Sequence, residues 1–174
     1  MHRTGANRIT TAFFLLLPLL PQASLSLEAD SSQEVQWDSG GDLTMRVEGE
    51  TRILEMTENV RVTQGSLEIV GSRAIFEYNA ETNELRRVTI HGSPVRYRQE
   101  LDSGDVVTGI SETMLLYRDE IEGPGTVIEL IGNARIDSQD SSMSCAAIVY
   151  LAGQDLIREA TGPCQGTLGS SGNQ

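Results

Sequence analysis

Few side chains in this sequence could take part in chemistry, and their types exclude most reactions. All 13 basic residues are arginines, and the lack of lysine excludes a P-loop, a Schiff base and a lysine general base. Of the two histidines, His2 lies at the extreme N-terminus, so His91 alone cannot supply a histidine-containing metal cluster. His91 is predicted at a surface position where a strand enters a turn. We therefore predict no metal and no cofactor.

The carboxylates are numerous, but their positions are typical of a solvated surface. Many of them, such as Glu81 and Glu84, fall in polar turns. A polysaccharide lyase or a glycosidase needs acids on a strand face beside a basic residue, and Glu77 with Arg73 comes nearest to that arrangement. Because both lie on the predicted outer face, we predict no catalytic residue and no enzymatic activity.

Residues 1–26 have the features of a secretory signal peptide. Arg3 and Arg8 precede an apolar run at residues 12–20, and small residues follow it. The run is too short to span a bilayer comfortably, so we predict cleavage between about Ala23 and Leu27. A retained membrane anchor is the alternative interpretation.

Cys145 and Cys164 are the only two cysteines in the chain. In an exported protein this even, low count favours one disulfide, which would stabilise the fold by about 3 kcal/mol if unstrained. Two buried free thiols also fit, because sequence does not show whether the two Cα atoms approach within bonding distance.

The net charge of −12 at neutral pH limits the partners. Nucleic-acid binding needs a basic face to displace counterions, so we predict no nucleic-acid partner. An anionic amphiphile would have to be held mainly through its apolar part or through bridging cations.

Short alternating runs extend along the whole mature chain. At residues 58–65, Val60 and Val62 face one way and polar side chains the other, and Gln64-Gly65 predicts a tight hairpin. Similar runs follow, separated by Gly, Asn, Asp and Pro, without a sustained helical stripe. We therefore predict an all-β protein built from short strands.

The strand-and-turn pattern repeats roughly every 35 to 40 residues, and the second run of successive copies leads to Gly92, Gly132 and Gly162. One such unit cannot bury its apolar face alone, so neighbouring units must stack. We predict a single stacked antiparallel domain at residues 35–168, a flexible segment at residues 27–34 and a disordered tail at residues 169–174.

Alternation also assigns an inward face to each strand. The residues predicted to point inward are Leu54, Met56, Val60, Val62, Leu67, Ile69, Ala74, Phe76, Tyr78, Val88, Ile90, Val95, Tyr97, Leu115, Tyr117, Ile128, Leu130, Ala134 and Ile136. Met114, Leu116 and Ile131 fall on the opposite face, which indicates a bulge or a second packed surface.

Several of these features together resemble a known family. The stretch 58–65, the earlier Asp42, the strand that ends at Tyr78, and Gly132-Asn133-Ala134 are similar to the OstA-like family of periplasmic lipopolysaccharide-transport proteins. The resemblance covers about residues 35–168. The glycine that usually precedes Asn-Val in this family is Glu58 here.

The resemblance implies an elongated, twisted β-jellyroll that is open along one side. It also implies that the interior holds the acyl chains of lipopolysaccharide, that the protein is periplasmic, and that such domains join head to tail. Similar domains of the inner-membrane and outer-membrane components would then complete a bridge. The unpaired edges of a stack of strands suit this kind of strand addition.

The candidate site follows from the inward face and the resemblance together. We predict that the lipid-binding groove is lined by Leu54, Met56, Val60, Val62, Phe76, Tyr78, Tyr97, Leu115 and Tyr117, and that Trp37 lies at a partner junction. Residues that only pack in a hydrophobic core show the same alternation. Core packing therefore remains the alternative to lipid contact for each of these residues. For the whole chain, the alternatives are an inner-membrane-anchored relative and an exported stalk or adhesin that binds no lipid.

Overall fold

The computed structural model describes residues 33–118 and 125–169, and nearly all of this part is antiparallel β-sheet. The strands are β1 (Gln36–Asp38), β2 (Leu43–Glu48), β3 (Thr51–Gln64), β4 (Leu67–Asn79), β5 (Leu85–Glu100), β6 (Val106–Arg118), β7 (Thr126–Asp137), β8 (Ser141–Leu151), β9 (Leu156–Thr161) and β10 (Gln165–Leu168). One 3₁₀ turn, Ala152–Gln154, joins β8 to β9. The all-β prediction is confirmed. The predicted signal peptide and nearly all of the predicted flexible segment and tail lie outside the described residues.

The strands form one sheet whose order follows the chain. From β3 to β8 each strand pairs antiparallel with the next, while β1 and β2 both pair with β3 and β9 and β10 both pair with β8. The six long strands, β3 to β8, therefore form the middle of the sheet, and two short strands flank them at each end.

Each of the six long strands changes register near its middle, and together these positions form a row of bulges. In β3 the shift falls between Thr57 and Val60, and in β7 between Ile131 and Ala134. The predicted strand breaks at Gly92 and Gly132 lie in this row, inside β5 and β7. The prediction of separate short strands was wrong at these places, because an irregular backbone at a bulge bends a strand without ending it.

His91 is affected by the same misinterpretation. It lies within β5 at the bulge, half-buried, and its Nδ1 is 3.1 Å from the Oγ1 of Thr113 on β6. The predicted turn at this position is wrong, because β5 continues through Gly92 to Glu100.

The two Asn motifs seen in the sequence both lie in the row of bulges. Glu58 and Asn59 have φ angles of 61° and 50°, and Gly132 and Asn133 have 80° and 47°. Glycine and asparagine are the residues that adopt this left-handed conformation most readily. The repeated motif therefore marks a repeated bend of the sheet.

The bends fold the sheet into two facing layers. Layer 1 contains β2, β9 and residues 51–57, 73–79, 85–91, 113–118, 126–131 and 147–151; layer 2 contains β1, β10 and the other halves of the long strands. The rings of Tyr97 in layer 2 and Tyr150 in layer 1 are 6.3 Å apart. Their strands, β5 and β8, would be about 14 Å apart in a flat sheet, so the contact crosses between the layers.

The inward faces of the two layers form one hydrophobic core. The predicted inward residues that are buried are Leu54, Met56, Val60, Val62, Leu67, Ile69, Ala74, Phe76, Val88, Ile90, Val95, Tyr97, Ile128, Leu130, Ala134 and Ile136. Tyr78 is half-buried and packs against the edge of this core.

The inward prediction was wrong for Leu115 and Tyr117. Met114 and Leu116 are the core residues of this part of β6, and they pair with Ile90 and Val88 of β5. Across the bend, β6 advances three residues from Ile110 to Thr113 while β7 covers four, from Arg135 to Ile131, and the odd step in β6 reverses which of its side chains face the interior beyond it. The stretch 114–117 is apolar on both faces, so alternation alone could not choose between them.

Candidate binding groove

A cavity of about 510 Å³ lies between the layers on the side away from the row of bulges. Its apolar lining comes from both layers: Val35, Val62 and Leu67 from the layer 2 side, and Leu85, Val88 and Leu116 from layer 1. We call this cavity the groove. Its size suits a small ligand or part of a larger one.

The hairpin between β3 and β4 positions the layer 2 wall of the groove. Gln64 and Leu67 pair across it, and Gly65 takes a φ of 60°, which a glycine adopts without steric cost. Val62 and Leu67 then point to the same side of layer 2. The sequence prediction of a turn at Gln64-Gly65 is confirmed.

Charged side chains surround the mouth of the groove. Arg86, Arg87, Arg118 and Glu84 border it, together with Gln64. Arg118 is the last residue of β6, and Arg86 follows the first residue of β5. Among the described residues, the groove therefore combines an apolar interior with charged residues at its border.

Polar side chains lie deeper in the interior, beyond the groove. Gln99 is buried and accepts a hydrogen bond of 2.6 Å from Tyr97 Oη to its Oε1. Tyr150 Oη donates to Asp155 Oδ1 at 2.8 Å. Burial raises the pKa of Tyr150, and the nearby Tyr97 and Asp155 raise it further, so its hydroxyl stays protonated and acts as a donor.

A second cavity of about 240 Å³ lies on the other side of the tyrosine pair, toward β10. Val107, Ile136, Met143 and Ile157 contribute to its lining, and Tyr150 forms part of its wall. Tyr150, whose ring meets that of Tyr97, therefore contributes to this cavity and not to the lining of the groove.

Most of the predicted groove residues lie in the core. Leu54, Met56, Val60, Phe76 and Tyr97 belong to the core cluster, as does Val62, which also borders the groove. The ring of Tyr78 stacks on Phe76 with centroids 6.4 Å apart, and burial raises the pKa of its hydroxyl. Whether these side chains touch a lipid remains a prediction.

Leu115 and Tyr117 lie on the outer face of layer 1. Tyr117 borders the groove beside Leu116, but its Oη donates to Glu129 Oε1 at 2.7 Å on the neighbouring strand. Burial, with a smaller effect from Glu129, raises the pKa of Tyr117. Sequence reasoning missed Leu116 as a groove residue, and only the neighbouring strands show its direction.

Trp37 lies on β1 at one end of the sheet, where it pairs with Val62 and is 42% exposed. Val62 faces the interior, so Trp37 lies on the same face, near the N-terminal edge of the groove. Its predicted role at a partner junction remains a prediction.

A disulfide joins Cys145 of β8 to Cys164, which lies just before β10. The two Cα atoms are 4.2 Å apart, and the cysteines are 19 positions apart in the chain. The bond holds the short terminal strand β10 against β8 at the end of the sheet opposite to β1.

Ion pairs on the outer faces account for the strand-face acids considered above. Glu55 accepts hydrogen bonds from Arg73 at 2.7 Å and from Arg46 at 3.1 Å, and these lower its pKa. Glu77 is 3.9 Å from Arg87. Arg73 is therefore paired with Glu55, and Glu77 lies near Arg87, so the two residues are not paired with each other. Such cross-strand charge pairs are expected on a solvated sheet surface.

Within the described ranges, no three His, Cys, Asp or Glu side chains are grouped so that they could hold a metal ion. No helix in those ranges has the length and apolarity that a membrane crossing requires.

Comparison with known proteins gives consistent matches. The model of the family described as "LptA/(LptD N-terminal domain) LPS transport protein" matches residues 43–155. The lipopolysaccharide export system protein LptA of Haemophilus influenzae is 24% identical over 139 residues, which is 79% of this chain and 76% of that protein.

Among solved structures, the chain is similar to LptH, described as the LptA-homologous periplasmic component of the lipopolysaccharide transport device of Pseudomonas aeruginosa. The TM-score is 0.63 at 17% identity, and the match covers 81% of this chain and 99% of LptH. This likeness shows a shared fold, the β-jellyroll expected from the sequence.

Proposed function

The chain belongs to the family of LptA and the N-terminal domain of LptD, which are lipopolysaccharide transport proteins, and we propose that it carries lipopolysaccharide in the groove between its two layers. The observation that supports this most is the apolar lining of the groove, contributed by both layers and open at one side. Acyl chains would enter there, while the sugars stay in water.

The energetics favour a carrier that passes its ligand on without chemistry. Burying a methylene group contributes about 0.8 kcal/mol, so a multi-chain lipid would be held too firmly to return to water unaided. Transfer into a neighbouring groove of similar apolarity changes the free energy little. The chain has no nucleotide-binding motif, so we infer that the direction of transport is imposed by a partner that hydrolyses ATP.

The ends of the sheet suit the end-to-end contacts that such transfer requires. Exposed large apolar side chains lie mainly on the terminal strands: Trp37 of β1, Leu43, Met45 and Val47 of β2, Leu156 of β9 and Leu168 of β10. β2 and β9 also carry free backbone edges, which can pair with another strand. We infer that similar domains, including further copies of this chain, add to these edges.

Two adjacent leucines provide a sharp test of the groove. A photo-crosslinking amino acid at Leu116, which faces the groove, should form an adduct with lipopolysaccharide in cells; the same residue at Leu115, on the outer face, should not. Equal adducts at both positions, or none at Leu116 in a folded variant, would contradict the proposal. Stoichiometric lipopolysaccharide binding by the purified protein separates a carrier from a stalk that binds no lipid.

The proposed location is the periplasm, as for the relatives described above. A mature protein that begins near Ser24 to Glu28 would support a soluble carrier, because the apolar run would have been removed. Intact-mass measurement of the protein from cells gives this answer directly. An uncleaved N-terminus would favour the membrane-anchored relative instead.

A further inference from the structure

The outer face of layer 1 is apolar over β6, β7, β8 and β9. The core residues of these strands alternate with a second apolar set, which therefore faces outward. The outward apolar residues, which we call the outer patch, are Leu115, Tyr117, Val127, Ile131, Ala147, Val149, Leu151 and Leu156. Val127 and Leu151 are buried but do not belong to the core cluster, which agrees with this direction.

Strand pairing arranges this surface in three rows across the sheet, because residues directly opposite each other on paired strands share a face. The rows are Tyr117–Val127–Leu151–Leu156, Leu115–Glu129–Val149–Glu159 and Thr113–Ile131–Ala147–Thr161. The outer patch therefore spans about 14 Å across the strands and about 13 Å along them. Ile131 and Leu156, in different rows, are 39% and 48% exposed.

Charged pairs occupy the corresponding positions elsewhere on the outer faces. On the same face of β3 and β4, Glu55 and Arg73 form an ion pair at 2.7 Å, and on layer 2 Arg61 and Glu68 form one at 2.8 Å. The stretches 114–117, 127–131 and 147–151 instead place apolar residues on both sides of layer 1. An apolar area on an outer face, bordered by polar residues, is typical of an interaction surface.

Carboxylates flank the middle of the outer patch. Glu129 and Glu159 lie on either side of Val149. Arg158 is the basic residue of β9; burial and Glu129 raise the pKa of Tyr117, and nearby Arg158 lowers it. Two carboxylates thus face one guanidinium group, and residues 119–124, which connect β6 to β7, carry three acids and no base. The sequence of that connection can only make this surface more acidic.

We propose that the outer patch docks a cationic amphipathic helix of a partner protein. A helix is about 10–12 Å wide, so one helix lying along β8 covers the outer patch in about three turns. Its apolar stripe packs on Ala147, Val149 and Leu151, and basic residues on both flanks of the stripe meet Glu129 and Glu159. A second copy of this chain, at a net charge of −12, would bring the same carboxylates against these. The proposal concerns the outer face and is independent of the groove.

A designed peptide tests the chemistry of this surface. The full-length mature protein is titrated with a helical peptide of about four turns whose leucine stripe is flanked by arginines, and with a version that has glutamate in place of arginine. We expect the arginine peptide to bind at least about tenfold more tightly. Ile131→Gln/Val149→Gln should weaken its binding at least about tenfold by removing apolar contact, and should leave lipopolysaccharide binding unchanged.

Val70→Gln/Ile75→Gln is the matched control. These two residues are half-buried on the outer faces of β4, so the control makes the same replacements away from the outer patch. It should bind the arginine peptide like the wild type. Binding that survives in the Ile131/Val149 variant, an equal loss in both double variants, or equal binding of the two peptides by the wild type would overturn the docking site.

A photo-crosslinking amino acid at Ile131 identifies the partner in cells, with His91, two strands away in the same row, as the comparison. We expect an adduct at Ile131, and not at His91, with a segment of another protein that is rich in arginine or lysine and has a helical apolar stripe. An adduct between two copies of this chain, an adduct with lipid, or none at Ile131 would contradict the proposal.

Discussion

At the scale of single residues, the fold depends on a few left-handed backbone positions in the row of bulges. Asn59 and Asn133 occupy equivalent bends in β3 and β7, each preceded by another residue with positive φ. Gly132 adopts that conformation without strain, whereas Glu58 carries a Cβ at a φ of 61°. The bend in β3 is therefore made at a cost that the bend in β7 avoids.

The loop between β1 and β2 packs closely against this strained bend. Gly40 N donates to Glu58 O at 2.6 Å, and Gly41 N donates to Thr57 O at 3.0 Å. A Cβ on Gly41 would lie only 2.8 Å from Thr57 O, so glycine is needed there. These contacts hold Glu58 in its unfavourable conformation.

Replacing Glu58 with glycine should stabilise the protein. The left-handed conformation costs a residue with a Cβ about 1–2 kcal/mol, and the greater freedom of glycine in the unfolded chain offsets about 0.4–1 kcal/mol of the gain. We expect the free energy of unfolding of Glu58→Gly, measured with urea, to rise by about 0.5–1 kcal/mol.

The control for this substitution is Glu68→Gly in β4, a regular strand position outside the bulges. It should lower the free energy of unfolding by about 0.5–1 kcal/mol, because glycine weakens a strand interior. A loss of stability in both variants would show that Glu58 is not strained.

At the scale of the secondary-structure elements, the bulges decide which face of each strand reaches the core. In β3 and β7 the buried residues on the two sides of the bend are an even number of positions apart, from Met56 to Val60 and from Leu130 to Ala134, so the alternation continues unchanged. In β6 they are an odd number of positions apart, from Ser111 to Met114, so the alternation is reversed. A step of one residue more or one fewer across the bend therefore exchanges the inner and outer faces of a strand.

Alanine substitutions at adjacent positions of β6 test this reversal. Met114 is fully buried between Ile90 and Leu130, so Met114→Ala should lower the free energy of unfolding by about 2–5 kcal/mol. Leu115 is half-exposed on the outer face, and Leu115→Ala should cost less than about 1 kcal/mol. Urea unfolding distinguishes the two, and the opposite order would restore the face assignment expected from the sequence.

The disulfide should contribute measurably to stability, because it closes a loop that includes all of β9. Loop-closure entropy over the 19-residue separation predicts that Cys145→Ala/Cys164→Ala lowers the free energy of unfolding by about 3 kcal/mol. Urea unfolding with and without reductant provides the comparison. Reductant should bring the wild type close to the variant and leave the variant unchanged; a wild type insensitive to reductant would argue against the bond.

At the scale of the whole molecule, two facing layers enclose one hydrophobic core. Among the described residues, the exposed large apolar side chains are concentrated on the terminal strands. A domain with this distribution exposes apolar side chains at both ends of its sheet, where a second domain could pack against them. This is the arrangement that end-to-end assembly requires.

Association through the N-terminal end should depend on the exposed face of β2. Met45 is 61% exposed on this edge strand, and Met45→Glu should raise the dissociation constant of self-association at least about tenfold by placing a charge in the apolar contact. Size-exclusion chromatography with light scattering over a range of concentrations measures the change. Ile131→Glu, at a 39% exposed site in the middle of the sheet, should associate like the wild type. Equal loss in both variants would point to a general effect of charge.

The sequence by itself determined the fold class, the repeat and most of the core. These depend on local information: the alternation of Val60 and Val62 or of Val88 and Ile90 follows from the two-residue period of a strand, and Gln64-Gly65 suits a tight turn. The resemblance of the Asn motifs to a family supplied the expected jellyroll, which the shared fold with LptH confirms.

Only the tertiary structure decided where the strands bend and which side chains meet. The bulge in β6 turned Leu116 inward in place of Leu115 and Tyr117, because a register is set by the neighbouring strands and not by the strand itself. Arg86 and Arg118 are far apart in the chain and became neighbours only through the pairing of β5 with β6. A pairing between two strands is a long-range contact, which the residues of one strand alone do not specify.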